Sequence, residues 1–215
     1  MHLRATLAPV RGTLLQGKNE KLKIGVLSLQ GSVIEHLGAV RRAGGEAVEV
    51  NAPPLLDAVD GLILPGGEST TLGKLLRFFG LHEPLKEKLA GGFPCFGTCA
   101  GLILLAKEIV GEAPHLGVMD ITVRRNAYGR QIDSFAVRER IPAFSDAPLD
   151  LTFIRAPWIE RVYGEAKVLK ELNGKIVAAR QGNMLVTSFH PELTKEAAVH
   201  AYFLRMVAAW KAGQA

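Results

Sequence analysis

The stretch Pro94-Cys95-Phe96-Gly97-Thr98-Cys99-Ala100-Gly101-Leu102-Ile103-Leu104-Leu105-Ala106-Lys107 decides how the rest of the chain is read. Pro94–Phe96 is a short apolar run suited to a buried strand, and the spacing predicts a helix over Leu102–Lys107. Between them lies Gly-Thr-Cys-Ala-Gly. A glycine, a nucleophile and a second glycine between strand and helix form a tight, strained turn that lifts the central side chain above a sheet. The partial positive charge of the following helix N-terminus favours a thiolate there. Cys99 is therefore a candidate nucleophile, and the Ala100 amide is a candidate oxyanion donor. Cys95 lies inside the strand with no such turn and reads as a small buried hydrophobe.

Upstream, the same strand-then-helix rhythm recurs. Ile24–Leu29 is an apolar run that ends in Gln30-Gly31. Ser32 is a candidate helix cap, with Glu35 as its capping-box partner. Val33, Leu37 and Val40 mark one face of that helix, which stops at Gly44-Gly45. Ala47–Val50 and Gly61–Leu64 read as further strands. The latter enters Pro65-Gly66-Gly67-Glu68-Ser69, which reads either as a tight turn capped by Ser69 or as a loop whose amides approach a ligand. A helix follows through Leu72, Leu75 and Leu76 to about Phe79. The second half carries more strand signal: Ile121–Arg124, Ser134–Val137, Leu151–Ile154, Ala166–Lys170, Ile176–Ala179 and Met184–Ser188, before a last helix over about Thr194–Trp210.

Alternation of strand and helix implies an α/β fold. The expected architecture is a three-layer, doubly wound, mostly parallel sheet with helices on both faces and a small antiparallel annex. Ligands in such folds bind at the carboxyl ends of the strands. The loops after Leu64, Phe96 and Ser188 should then meet at one edge.

A cysteine nucleophile needs a base, and the base needs an orienter. Of six histidines, His2 lies in the N-terminal stretch. His36 and His200 lie on predicted helices, and His82 and His115 on predicted loops, so packing or solvated roles are expected for these four. His190 differs. It ends an apolar strand and is followed by Pro191 and Glu192, so it reaches the carboxyl edge with a carboxylate two residues away to fix its tautomer. Beside a Cys/His pair, the Gly66-Gly67 amides become natural oxyanion donors. No His/Cys cluster has metal-ligand spacing, so neither a metal nor a cofactor is expected.

Composition bounds the function. The 215 residues suit one domain with an ordinary core, at 48% apolar and 22% charged. The net charge of +5 is uneven: Arg4, Arg11, Lys18 and Lys21 against Glu20 leave +3 within residues 1–22, and so +2 for the rest. Residues 1–22 are therefore read as an extension outside the core, and 23–211 as the folded domain. Without a basic run interleaved with aromatics, no nucleic-acid partner is expected. No apolar stretch is long enough to cross a membrane. Two cysteines four apart suit a reducing compartment, so a cytoplasmic protein is expected.

The elbow, Leu64-Pro65-Gly66-Gly67-Glu68-Ser69-Thr70-Thr71, Phe153-Ile154-Arg155-Ala156-Pro157 and Ser188-Phe189-His190-Pro191-Glu192-Leu193 together resemble class I glutamine amidotransferases. Within these the chain is most similar to the glutaminase subunits of pyridoxal 5′-phosphate synthase. Gly25–Gly31, Arg125-Asn126, Gly129-Arg130-Gln131 and Asp133-Ser134-Phe135 add to the likeness, which spans about Lys23 to Trp210. The resemblance implies a Cys99–His190–Glu192 triad that hydrolyses L-glutamine. It also implies glutamine contacts from Gly66, Gly67, Glu68, Arg125, Ile154 and Arg155, and an oxyanion hole from Gly67 and Ala100. The implied partner is a separate synthase subunit, assembled as a ring, that takes the ammonia. Two other readings share parts of this pattern. One is the glutaminase of another amidotransferase, such as imidazole glycerol phosphate synthase. The other is a cysteine hydrolase or chaperone-like protein of the same broad fold, although Ala100 rather than a histidine follows the elbow cysteine here.

Overall fold

The structure is a computed structural model, and it describes residues 21–125 and 134–214. The elements run β1 (Lys23–Leu27), α1 (Val33–Arg42), β2 (Glu46–Val50), α2 (Pro53–Asp57), β3 (Gly61–Leu64), α3 (Ser69–Phe78), α4 (His82–Ala90), β4 (Cys95–Thr98) and α5 (Ala100–Leu105). Then come β5 (Ala106–Ile109), β6 (Met119–Arg124), β7 (Ser134–Ile141), β8 (Ser145–Ile154), β9 (Trp158–Val162), β10 (Lys167–Leu172), β11 (Lys175–Gln181), β12 (Met184–Thr187), a single 3₁₀ turn over Pro191–Leu193, and α6 (Ala198–Ala212).

Ten strands form one sheet in the order β2-β1-β3-β4-β12-β11-β9-β6-β5, with β10 on β11. The half from β2 to β12 is parallel. β11 then pairs antiparallel with β12, β9 and β10. The expected α/β architecture holds, with one difference: most of the antiparallel strands continue the main sheet, and only β7–β8 stands apart as a separate hairpin.

Side-chain alternation along the strands divides the core between two faces. In β3, Leu62 and Leu64 join a cluster with Leu72, Leu76, Leu85 and Leu102 from α3, α4 and α5. Ile63 between them joins the opposite cluster, with Leu37 and Val40 of α1 and Phe203 and Val207 of α6. The β7–β8 hairpin packs on this second face through Ile141, Leu149, Leu151 and Phe153. All six residues of α5 are buried, so the elbow helix is held on every side.

Several elements differ from the sequence expectation. Leu-Leu-Ala-Lys reads as continuous helix, yet α5 ends at Leu105 and Ala106–Ile109 pairs with β6, tertiary pairing overriding local propensity. The pattern at His82-Glu83-Pro84 reads as a loop, but Pro84 sits in the first turn of α4, where a missing amide proton costs nothing. Helix α6 begins at Ala198, not Thr194. Asn126, Gly129–Gln131, Asp133 and most of the 1–22 extension lie outside the described residues.

The amino edge of the sheet is closed by one carboxylate. Asp60 Oδ2 accepts from the Lys23 amide at 2.9 Å, and Asp60 Oδ1 from Lys211 Nζ at 2.7 Å. It thereby joins the start of β1 to the end of α6.

Candidate active site

The carboxyl ends of β1, β3, β4 and β12 open onto one cavity of about 570 Å³. Strand register sets its floor, because Leu64 lies abreast of Gly97, and Thr98 abreast of Thr187. Lining it are Cys99, His190, Gly66, Gly67, Glu68, Arg125, Ile154 and Arg155. Eight of the ten site residues read from the sequence thus meet here. The other two, Ala100 and Glu192, do not line it; both are buried behind the wall.

Cys99 has φ 49° and ψ −101°, a left-handed conformation rare for a side-chain-bearing residue. Arg155, also on the cavity, has φ 41°. Such strain persists only where the surroundings over-determine it. At the elbow they do. A Cβ on Gly101 would stand 2.1 Å from the Leu64 carbonyl oxygen, and one on Gly97 2.6 Å from the Gly101 carbonyl group. Both glycines are required by backbone contact. The Cys99 amide donates to the Thr187 carbonyl at 2.9 Å, and Cys99 Sγ lies 4.0 Å from the Ile154 carbonyl oxygen. Cys95 is fully buried, and burial pushes its thiol pKa far up.

His190 packs its ring on the Gly66 backbone, so that a Cβ there would stand 2.3 Å from His190 Cε1. Its amide donates to Thr152 of β8, which ties the histidine to the small hairpin. His190 Nδ1 is 2.7 Å from Glu192 Oε1. Burial works to lower the His190 pKa, but hydrogen bonding to Cys99 and to Glu192 outweighs it and raises the value to about 10. Burial likewise works to raise Glu192, and the facing His36, His190 and Ser32 outweigh it and hold the carboxyl well below its ordinary range.

Ser32 corrects an expectation. Its side chain makes no capping bond on α1; instead Ser32 Oγ donates to Glu192 Oε1 at 2.7 Å. Ser69 is corrected too. The cap of α3 is Glu68, whose carboxylate accepts from the Thr70 and Thr71 amides at 3.0 and 2.7 Å. The Thr71 hydroxyl bond leads in holding the Glu68 carboxyl near 2, against burial and with the amides adding. Arg125 bridges Glu68 at 3.2 Å and Glu112 at 2.7 Å, so it braces the cavity wall.

The turn after β1 latches the diglycine loop. Gln30 Oε1 accepts from the Glu68 amide at 3.0 Å, and the Gly66 carbonyl accepts from the Ser32 amide at 3.2 Å. Gly31 sits at φ 103°, where a Cβ would fall 1.8 Å from the Gly66 oxygen. Only glycine fits this approach.

The SNO glutamine amidotransferase family model matches residues 26–209. The chain belongs to that family. A relative from Moorella thermoacetica, named pyridoxal 5′-phosphate synthase subunit PdxT, is 49% identical over 187 residues, which is 86% of this chain and all of that relative. A relative of the same name from Clostridium beijerinckii is 53% identical over 185 residues, covering 86% and 97%. A crystal structure described as a glutamine amidotransferase superposes with a TM-score of 0.81 at 45% identity, covering 86% of this chain and 98% of that one.

Sequence reading missed Ser32, Thr98, His36 and His200 around Glu192. His36 is fully buried, with Nε2 3.0 Å from Thr98 Oγ1 and Nδ1 3.0 Å from His200 Nε2. Of the packing or solvated roles expected for His36 and His200, both take the packing one, with hydrogen-bonded partners that the sequence does not show.

Proposed function

We propose that this chain is the glutaminase subunit of a pyridoxal 5′-phosphate synthase, releasing ammonia from L-glutamine for a separate synthase chain. The observation that carries the reading is an elbow cysteine facing a glutamate-oriented histidine across a glycine-walled cavity, in a chain about half identical to relatives of that name. The domain is residues 23–211, and a reducing, cytoplasmic setting suits a free catalytic thiol.

In this reading His190, its pKa raised by Cys99 and Glu192, already carries the proton taken from the thiol, and Cys99 Sγ attacks the side-chain amide carbon of glutamine. The oxyanion is met by the Gly67 and Ala100 amides. His190 then passes the proton to the departing nitrogen, leaving ammonia and a γ-glutamyl thioester. Water, deprotonated by His190, attacks the thioester; glutamate leaves and the thiol is restored. Glu192 fixes the histidine tautomer throughout. Gly66, Glu68, Arg125, Ile154 and Arg155 hold the amino acid end of glutamine. Because Glu68 also caps α3 and binds Arg125, these two act as a preset pair.

Ammonia lost to solvent wastes glutamine, and the latched loop offers a control. The Gly66 carbonyl is engaged by Ser32, and turning the Gly66–Gly67 peptide exchanges an amide donor for a carbonyl. A partner pressing on Gln30-Gly31 reaches that peptide directly through the contacts above. Glutamate release by the chain alone should be low and should rise with the synthase subunit, by up to about 10²–10³-fold, the worth of one oxyanion donor. Equal rates would reject partner gating alone. No glutamate in either condition would reject the glutaminase reading.

Gly66→Ala provides a second check. The added Cβ meets His190 Cε1, and a base displaced by about 1 Å costs on the order of 10²-fold in rate. Partner-stimulated kcat should fall by that order, while overpacking lowers stability by only about 1–3 kcal/mol. Unchanged kcat with a folded protein would show that the ring is not fixed by this contact.

A further inference from the structure

Behind the triad lies a second set of groups that the chemistry above does not use. Glu192 Oε1 is hydrogen-bonded to Ser32 Oγ and to His190 Nδ1, each at 2.7 Å, and His36 Nε2 faces it at 3.5 Å. His36 Nε2 is also 3.0 Å from Oγ1 of Thr98, the residue immediately before Cys99. On its other side, His36 Nδ1 meets His200 Nε2 at 3.0 Å. His36, Thr98 and His200 are all fully buried. One imidazole on α1 therefore touches the elbow strand, faces the orienting carboxylate, and is backed by a histidine on α6.

The protons of this column can be assigned. Between His36 Nδ1 and His200 Nε2 one nitrogen must donate. If His36 donated through Nδ1, its lone pair at Nε2 would face the Glu192 carboxylate, and His200 Nδ1, buried with no partner among the described residues, would carry an unpaired N–H. In the reverse arrangement His200 donates through Nε2, and His36 carries its proton on Nε2, facing Glu192 and Thr98. Only a lone pair then stays unpaired at His200 Nδ1. The second arrangement avoids both a buried orphan donor and a lone pair set against a carboxylate. Burial pushes both histidines toward the neutral form, His200 to about 3. The charged or titratable groups facing the column are Glu192 and His190 from the strand-end turn, Glu35 from α1, and Arg42 near His200.

We infer that His36 is a positioning residue for the glutaminase reaction. It is neutral and Nε2-protonated, it holds Glu192 in line with His190, and it ties that carboxylate to the Thr98–Cys99 elbow, with His200 fixing its tautomer. The inference rests on the glutaminase reading above. It gives Glu192 a defined partner on the side away from His190, and it couples nucleophile and base through the core as well as across the cavity.

The test uses the full chain with its synthase subunit and compares His36→Leu, His36→Gln and Thr98→Val. His36→Leu removes the hydrogen bond to Thr98 and the N–H that faces Glu192 at 3.5 Å, and should lower kcat by about 10-fold. KM for glutamine should stay within about twofold, because His36 touches no cavity residue that binds substrate. His36→Gln, whose amide can place a donor near the Nε2 position, should recover most of that loss, and Thr98→Val should fall between. Nitrogen NMR of the wild-type imidazoles should show His36 protonated at Nε2 alone. A Leu variant with wild-type kcat overturns the inference, as does a Gln variant as impaired as Leu, or a proton on His36 Nδ1. If the Leu variant does not fold, the Gln and Val variants and the wild-type spectrum decide. A wild-type complex without glutaminase activity would instead count against the functional reading.

Discussion

Cys99→Ala should abolish glutamate release, by a factor on the order of 10⁴–10⁶, since removing the nucleophile of a coupled triad removes nearly all of its chemistry. Cys95→Ala should keep most of the activity. Both thiols are buried, but in different ways. Cys95 lies within β4 with its thiol pushed toward the protonated form by burial. Cys99 stands at the carboxyl end of that strand, on the cavity, in a backbone conformation that aims its side chain away from the sheet. A glutamine-like electrophile should therefore label Cys99 and leave Cys95 free, as read by peptide mass mapping. Labelling of Cys95 with Cys99 untouched would refute the assignment. Cys95→Ala has a separate cost in stability, because it empties volume in a packed strand. Its rate should therefore be measured well below its melting point.

The second large effect concerns His190 and Glu192. His190→Ala should approach the loss seen for Cys99→Ala, because no other histidine lines the cavity among the described residues. Glu192→Gln should cost less, about 10⁴-fold, the order found when an orienting carboxylate loses its charge. The double variant should be little worse than His190→Ala alone, since an orienter without its histidine has nothing to orient. Steady-state glutaminase rates of the three variants provide the measurement. Full activity in Glu192→Gln would show that His190 keeps its tautomer without help. Losses that multiply in the double variant would show that the two residues act independently. Glu192→Ala is the less clean choice. It leaves Ser32 Oγ and His190 Nδ1 unpaired in the interior, at about 1–3 kcal/mol each, and so mixes folding with chemistry.

The sequence makes the parallel half of the sheet legible because β1, β3 and β4 run into glycine-bearing turns, Gln30-Gly31, Pro65-Gly66-Gly67 and Gly97-Thr98-Cys99, and β12 runs into His190-Pro191. The antiparallel half is harder. β9 lies in Trp158–Val162, where Glu160 and Arg161 interrupt the apolar pattern and the pairing to β6 and β11 is long-range. The cavity wall is legible as residues but not as partners. Glu68 reads as a ligand contact, and only three dimensions show it capping α3. His36 and His200 carry a signal that was open to view. His36 falls on the 33-36-37-40 stripe of α1, and His200 on the 199-200-203-204-207 stripe of α6. A histidine on an otherwise apolar helical stripe is a buried polar group in need of partners. That the two stripes meet, His36 against His200, with Glu192 on the other side of His36, is not contained in either period.

Asp60 gives the molecule a seam. By holding the Lys23 amide and the Lys211 ammonium on its two oxygens, it brings the beginning and the end of the described fold together, at the edge of the sheet away from the cavity. The path of the chain is thus close to a closed ring, with its join on one side and its reactive loops on the other. Joining the ends and reopening the ring at an exposed hairpin, such as Asn173-Gly174 between β10 and β11, would alter the order of the elements without disturbing the residues around Cys99. For the same reason, labels or surface tethers attached beside Lys23 or Lys211 would hold the protein from behind, with the cavity turned outward.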